Sequence, residues 1–255
     1  MSSLPQLIRS NVQRYGDRIA TRFRDRQRTW HALQERVSRL AAGLHSMGVN
    51  EGDRVAVLGL NSDRYLEFYF GVAWAGAVFV PLNNRLAPAE FVHWLNDSGS
   101  EVLFVDDAYL AAVAEIRSRL ETVREFVYMG EGEAPEGYLA YEELLNSHAP
   151  VAPSRRAGDD MAGLFYTGGT TGKSKGVMLS HRNLTYNVLQ AQPFIDVDAD
   201  DVFLHAAPMF HLADGFFIML GTTMGCTHVV VPAFEPELVL QTIQDEKIKT
   251  ALLVP

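Results

Sequence analysis

Short apolar runs of strand length recur along this chain: RVAVLGL from Arg54, AVFVPL from Ala77, EVLFV from Glu101, EFVY from Glu125 and MAGLFY from Met161. They constrain the fold more than any other feature, because each reads as a buried strand and segments of helical spacing separate most of them. Leu33, Val37, Leu40, Ala41 and Leu44 form one apolar helical stripe that ends near Gly48. Asn61-Ser62-Asp63 is a helix-start cluster for a helix running to about Gly76, another helix begins after Pro88, and a third covers about Ala108 to Leu120. Parallel neighbours need a crossover between them, so this order predicts an α/β fold of layered, mostly parallel sheets flanked by helices.

The alternation pauses between about Gly130 and Asp160. GEGEAPEG and SHAPVAPSRRAGDD are turn-rich and polar, so a subdomain junction or surface excursion is expected over 130–160. Beyond it come a strand at Met161–Tyr166, a Gly/Thr loop, a strand at Gly176–Leu179 and a helix from Ser180. A strand near Val202–His205, a helix through Phe216–Met224, a strand at Thr227–Val231, a helix from Pro236 to about Glu246 and a strand at Thr250–Val254 complete the order. A chain that stops on a core-type strand is expected to be part of a longer one. Arg22, Arg24, Arg26 and Arg28 alternate at period two, which predicts one solvated basic strand face.

Composition excludes several classes. The 255 residues suffice for one large domain, and 47% apolar with 21% charged residues is globular rather than disordered or fibrous. A formal net charge of -9 lacks the basic footprint of a general nucleic-acid binder. One cysteine, Cys226, leaves no internal disulfide and no multi-thiolate metal site, which fits a reducing, cytoplasmic setting. Leu4, Leu7, Ile8 and Val12, with Arg9 and Arg14 between them, predict an amphipathic surface helix rather than a signal peptide. The longest apolar run, Phe68 to Leu82, is too short to span a bilayer and is broken by Gly71, Gly76 and Pro81.

The chemistry concentrates in Tyr166 to Gly176, YTGGTTGKSKG. Four glycines, three threonines and two of the chain's four lysines fall in this one loop between predicted strands. Glycine lets backbone N–H groups turn toward a phosphate, while threonine hydroxyls and lysine ammonium add donors and charge. A plain hairpin turn needs far less glycine and threonine. A Walker A loop would require glycine where Thr167 stands and a helix directly after Ser174, whereas Lys175-Gly176 leads into Val177-Met178-Leu179, a predicted strand.

Extended to YTGGTTGKSKGVMLSHRNL, the segment resembles the phosphate loop of the adenylate-forming (AMP-binding) enzymes: acyl-CoA synthetases, aryl-CoA ligases, luciferases and the adenylation domains of peptide synthetases. Ser174 stands where proline is usual in that pattern, and Gly168 where serine is commoner. TWHALQERVSRLAAGL, WAGAVFVPLNNRLAPAEFVHWLNDSGSEVLFVD and PMFHLADG resemble further signatures of the family. The resemblance identifies residues 1–255 as the N-terminal portion of the large AMP-binding domain of an acyl-CoA synthetase or fatty-acid–CoA ligase. By the same resemblance, the third subdomain and the small C-terminal domain with its catalytic lysine are expected to lie outside these 255 residues, so no catalytic residue is assigned.

What the resemblance implies is specific. Thr167, Gly168, Gly169, Thr170, Thr171, Gly172 and Lys175 would hold the β- and γ-phosphates of ATP, with Lys173 a supporting charge. Ser180 would cap the next helix, with His181 and Asn183 in structural roles. His211 and Gly215 would belong to the substrate pocket. Phe210, Phe216, Phe217, Met219 and Met224 either line an acyl tunnel or are plain core. Amino-acid-activating relatives carry an aspartate near His211, and Asp214 keeps that case open. The implied reaction joins a carboxylic acid, first of all a fatty acid, to AMP and then to coenzyme A, with Mg2+ on the phosphates and no metal site formed by the chain itself. Aryl-CoA ligation, acyl-AMP ligation onto a carrier protein, and a catalytically inactive nucleotide-binding module are the alternatives. The expected partners are a small-molecule carboxylic acid, no nucleic acid and no transmembrane segment, with a homodimer left open. These 255 residues are not expected to complete adenylation on their own.

Overall fold

The computed structural model describes residues 3–167 and 174–253. The chain opens with α1 (Leu4–Tyr15), the hairpin β1 (Ile19–Phe23) and β2 (Arg26–Thr29), and α2 (Trp30–Ser46). Alternation follows: β3 (Arg54–Leu58), α3 (Asp63–Ala75), β4 (Val78–Pro81), α4 (Pro88–Ser98), β5 (Ser100–Val105), α5 (Leu110–Ile116) and β6 (Glu125–Tyr128). Next are β7 (Leu139–Ala140), α6 (Tyr141–Asn146), β8 (Met161–Tyr166), β9 (Gly176–Ser180) and α7 (His181–Ala191). The last elements are β10 (Val202–His205), α8 (Leu212–Met224), β11 (Thr227–Val230), α9 (Pro236–Asp245) and β12 (Thr250–Ala251).

The strands form two sheets. One has the order β12-β10-β11-β1-β2 and the other β7-β6-β5-β3-β4-β8-β9. Pairing is parallel except at two hairpins, β1–β2 and β8–β9. The stretch from Gly130 to Asp160 supplies β7 and α6, and the strands on either side of it, β6 and β8, lie in the same sheet. The chain changes sheets elsewhere, across α2 and again across α7.

Strand period two sorts the larger sheet's side chains into two cores. Val55 and Val57 of β3, with Phe79 and Phe104, join the main core beneath α2 and α3. Ala56 and Leu58, with Val78, Val80, Leu103 and Val105, face the second core under α4 and α5. All thirteen residues of α3 are buried, because the helix packs on β1 of one sheet and on β3 and β4 of the other. A helix between two sheets has no solvent face, which explains DRYLEFYFGVAWA. Ser62 Oγ caps α3 by accepting the Tyr65 amide at 3.1 Å, and Gly76 ends it in the left-handed region at φ 80°.

The arginine-rich segment departs from the expected solvated strand face. Arg24 sits in the β1–β2 turn at φ 55°, so the four arginines do not share one strand. Arg26 forks onto Asp63 at 2.8 and 2.9 Å, and Arg28 reaches Glu67 at 3.1 Å. Arg36 joins Glu67 to Glu142, and Tyr141 Oη donates to Glu67 at 2.8 Å. Asp63 and Glu67 project from the buried helix α3, and their charges require partners. Arg26 and Arg28 are therefore counter-ions aimed at α3 rather than at water, whereas Arg22 pairs with Glu246 and Arg24 is exposed.

Candidate functional site

The Gly/Thr loop joins β8 to β9, and the hairpin is closed at its neck. Tyr166 pairs with Gly176 in the antiparallel register, and the Thr167 amide donates to the Lys175 carbonyl at 3.0 Å. Both Thr167 and Lys175 are exposed. Gly168, Gly169, Thr170, Thr171, Gly172 and Lys173 lie outside the described residues.

Helix α4 braces this neck. The Trp94 indole stacks on Tyr166 at 4.7 Å between centroids, and its N–H donates to Ser174 Oγ. Tyr166 Oη donates to Asp97 at 2.6 Å. Burial, and then the bond to Asp97, push the Tyr166 phenol above its ordinary pKa, so it stays protonated and keeps donating.

A cavity of about 410 Å³ opens beside the neck, lined by Pro81 at the end of β4 and Asn83 beyond it, Phe165 to Thr167, Val177, and Phe210 to Leu212, with Trp94 as one wall. It lies at the carboxyl ends of β4 and β8, where open parallel sheets commonly receive ligands. His211 caps α8, its Nδ1 accepting the Ala213 amide at 3.2 Å. The helix starts at Leu212, four residues before the expected Phe216, because His211 itself provides the start signal. His211 is exposed and lines the cavity, so the structure brings it to Thr167 across one space. Gly215 is buried one turn into α8 and is not among the lining residues. A Cβ added there would touch Tyr69 Oη at 3.8 Å and Phe165 at 3.9 Å. Phe210 lines the cavity, whereas Phe216, Phe217, Met219 and Met224 pack on the main core.

Asp214 is fully buried and faces inward from α8. Its Oδ2 lies 3.0 Å from His205 Nδ1, His205 Nε2 lies 2.8 Å from His228 Nδ1, and His228 Nε2 lies 3.2 Å from Thr222 Oγ1. Where each ring carries a single N–H and Asp214 Oδ2 accepts from His205, the donors run from Thr222 to His228, from His228 to His205 and from His205 to Asp214. Burial, followed by its neighbour His205, holds the His228 pKa well below the ordinary imidazole value. This chain ties the first and last turns of α8 to β10 and β11.

Ser180 and Asn183 form a capping box at α7, with the Asn183 amide donating to Ser180 Oγ at 3.1 Å and the Ser180 amide to Asn183 Oδ1 at 2.9 Å. His181 is buried, and its Nδ1 accepts the Leu4 amide at 3.3 Å. The cavity's remaining wall residues, Pro81, Asn83, Trp94 and Phe165, were not singled out by sequence. Pro81 and Phe165 lie near the ends of predicted strands, and Pro81, Asn83 and Trp94 fall within the quoted WAGAVFVPLNNRLAPAEFVHWLNDS segment, but nothing in the sequence sets these side chains apart from their neighbours.

Among the described residues no helix is long and apolar enough to cross a membrane. The chain is 41% identical over 232 residues to a long-chain-fatty-acid–CoA ligase of Thermus thermophilus, covering 89% of this chain and 42% of that protein. A feruloyl-CoA synthase of an Amycolatopsis species is 39% identical over 229 residues, covering 89% and 43%. This chain thus spans less than half the length of these curated relatives. A fatty acyl CoA synthetase of Mycobacterium tuberculosis superposes with a TM-score of 0.88 at 28% identity, over 98% of this chain and 49% of that one. An anthranilate CoA ligase solved with anthranoyl-AMP superposes at 0.91 and 25% identity, over 98% and 49%. The sequence profile of the AMP-binding enzyme family matches residues 8–255, and the chain belongs to that family.

Proposed function

We propose that this chain is the ATP-phosphate and acid-binding half of an AMP-forming acid–thiol ligase. The observation that carries the reading is the hairpin neck at Thr167 and Lys175, which opens beside the cavity that His211 lines. In the proposed reaction a carboxylate oxygen attacks the α-phosphorus of ATP and pyrophosphate leaves. The thiol of coenzyme A then displaces AMP from the acyl-adenylate. The chain's own task is orientation and charge neutralisation. Thr167 and Lys175, with Gly168, Gly169, Thr170, Thr171 and Gly172 between them, supply hydrogen-bond donors and one ammonium to the β- and γ-phosphates. None of these residues is a carboxylate that could cage a hard cation, so Mg2+ would arrive bound to the nucleotide's phosphate oxygens.

His211 and Phe210 form the wall along which the acid lies, and Gly215 shapes α8 behind that wall. A fatty acid is the first substrate class, supported by the apolar lining of Phe165, Val177, Phe210 and Leu212. An aryl acid is the second, because an aromatic ring also suits the flat Trp94–Tyr166 wall. A cytoplasmic setting, where ATP and coenzyme A are at hand, goes with this reading.

The test is calorimetric titration of the purified 255 residues with MgATP, beside an assay for acid-dependent pyrophosphate release. ATP binding is expected, with Lys175→Ala weakening it about tenfold, the scale of one charge-assisted contact to phosphate. Pyrophosphate release is expected only when the rest of a ligase is present. Absence of ATP binding, or Lys175→Ala binding like the parent, overturns the phosphate reading.

A further inference from the structure

Helix α4 touches both sides of the Gly/Thr loop through one residue. On the incoming side, the Trp94 ring lies nearly flat on Tyr166, with 17° between the planes, and Asp97 on the next turn accepts the Tyr166 hydroxyl. On the outgoing side, the Trp94 indole N–H donates to Ser174 Oγ at 2.5 Å, one residue before Lys175. Trp94 is only 3% exposed and packs with Phe91 and Leu95 against the second core. The ring is therefore held in place, and Ser174 comes to it. An indole donor buried this deeply is costly to leave unpaired, which favours the bond to Ser174 over a free N–H.

We propose that Trp94 is a positioning residue for the loop: by holding Tyr166 through its face and Ser174 through its N–H, it fixes where Ser174 leaves the neck that the Thr167–Lys175 backbone bond closes. Its consequence for ligands rests on the phosphate reading above, whereas the clamp itself does not. The serine has a particular meaning here. The resembling sequence pattern has proline at this point, which would restrict the backbone through its ring. In this chain a side-chain hydrogen bond to a buried anchor restricts the same segment.

The experiment uses the 255-residue chain with Ser174→Ala, Ser174→Thr, Trp94→Phe and the Trp94→Phe/Ser174→Ala double variant. Two readouts are taken: solvent exchange of the Trp94 indole N–H by NMR, and dissociation constants for MgATP and for pyrophosphate. Ser174→Ala should speed indole exchange at least tenfold at unchanged melting temperature, and Ser174→Thr, which keeps the hydroxyl, should restore slow exchange. Each single removal should weaken both ligands about threefold to tenfold, the range of one hydrogen bond, and the double variant should lose no more than either single. Indole exchange unchanged by Ser174→Ala overturns the clamp, as do losses that add in the double variant. If the parent chain binds neither ligand, the phosphate reading fails, and indole exchange alone still decides the clamp. Because Trp94→Phe also removes core volume, Ser174→Ala is the decisive variant, its side chain being only partly buried.

Discussion

His181 shows how one side chain's protonation can govern a fold. It sits at the start of α7, buried, and accepts the Leu4 amide through Nδ1. An imidazole that accepts there must be neutral, and burial, aided by Arg156, lowers its pKa to about 4. In the unfolded chain the same group titrates near 6.5. Between these values the unfolded state binds a proton that the native state refuses, so this contribution is intact above about pH 6.5. It falls as the pH drops through the window and levels off below about pH 4, a total loss of about 3 kcal/mol. Urea unfolding from pH 7 to 4 should therefore show a steeper loss of stability for the parent than for His181→Gln, by close to one proton. Parallel pH profiles would mean that His181 already carries its proton in the native state. The Ser-His-x-Asn segment was legible in sequence as a helix start, and Ser180 and Asn183 act as one. The bond to Leu4 was not, because it joins residues 177 positions apart and no local pattern records such a pair.

Among the elements, the β4–β8 seam is the one that delivers the loop. Gly163 of β8 lies opposite Phe79 of β4, and a Cβ at Gly163 would stand 2.1 Å from Phe79 Cε2. That ring cannot yield easily, since Tyr69 and Phe165 both meet it edge-on at 4.8 and 6.0 Å. Gly163→Ala should cost about 1–3 kcal/mol by overpacking, and Phe79→Leu in the same chain should recover part of it. Denaturant midpoints of the two single variants and the double variant check this; additive losses would show that the seam relaxes without the ring. The elements themselves were largely legible, because strand and helix periods are local properties of sequence. The errors have local physical causes. His211 served as a helix cap, so α8 began four residues early. A left-handed turn residue at Arg24 split one imagined strand into a hairpin.

At the scale of the molecule, periodicity identifies strands without naming their neighbours. β1 lies beside β11, with Thr21 opposite His228, and nothing between them in sequence foretells it. The two-sheet arrangement comes instead from α3, whose apolar and ion-paired side chains need cover on every side and receive it from both sheets and from α2. The same accounting of cover points to one place where it is lacking. β9 closes the order of the seven-stranded sheet and pairs only with β8 among the described residues. On it Met178 is 71% exposed, and Phe194, just beyond the neighbouring α7, is 89% exposed. Val177, Tyr186 and Leu189 are also exposed on these two elements. An unpaired strand edge with apolar side chains templates further association, because its N–H and C=O groups and its greasy face both gain by being covered. The 255 residues alone should therefore associate as concentration rises, and Met178→Lys should reduce this by placing a charge on the edge. Sedimentation velocity separates the outcomes. Growth that passes twice the chain mass of 28.3 kDa without a plateau marks open edge pairing. A plateau at twice that mass, insensitive to Met178→Lys, marks instead a closed two-fold dimer through another face. A single species of the chain's own mass at every concentration would mean that β9 tolerates its exposure, and the edge argument would fall.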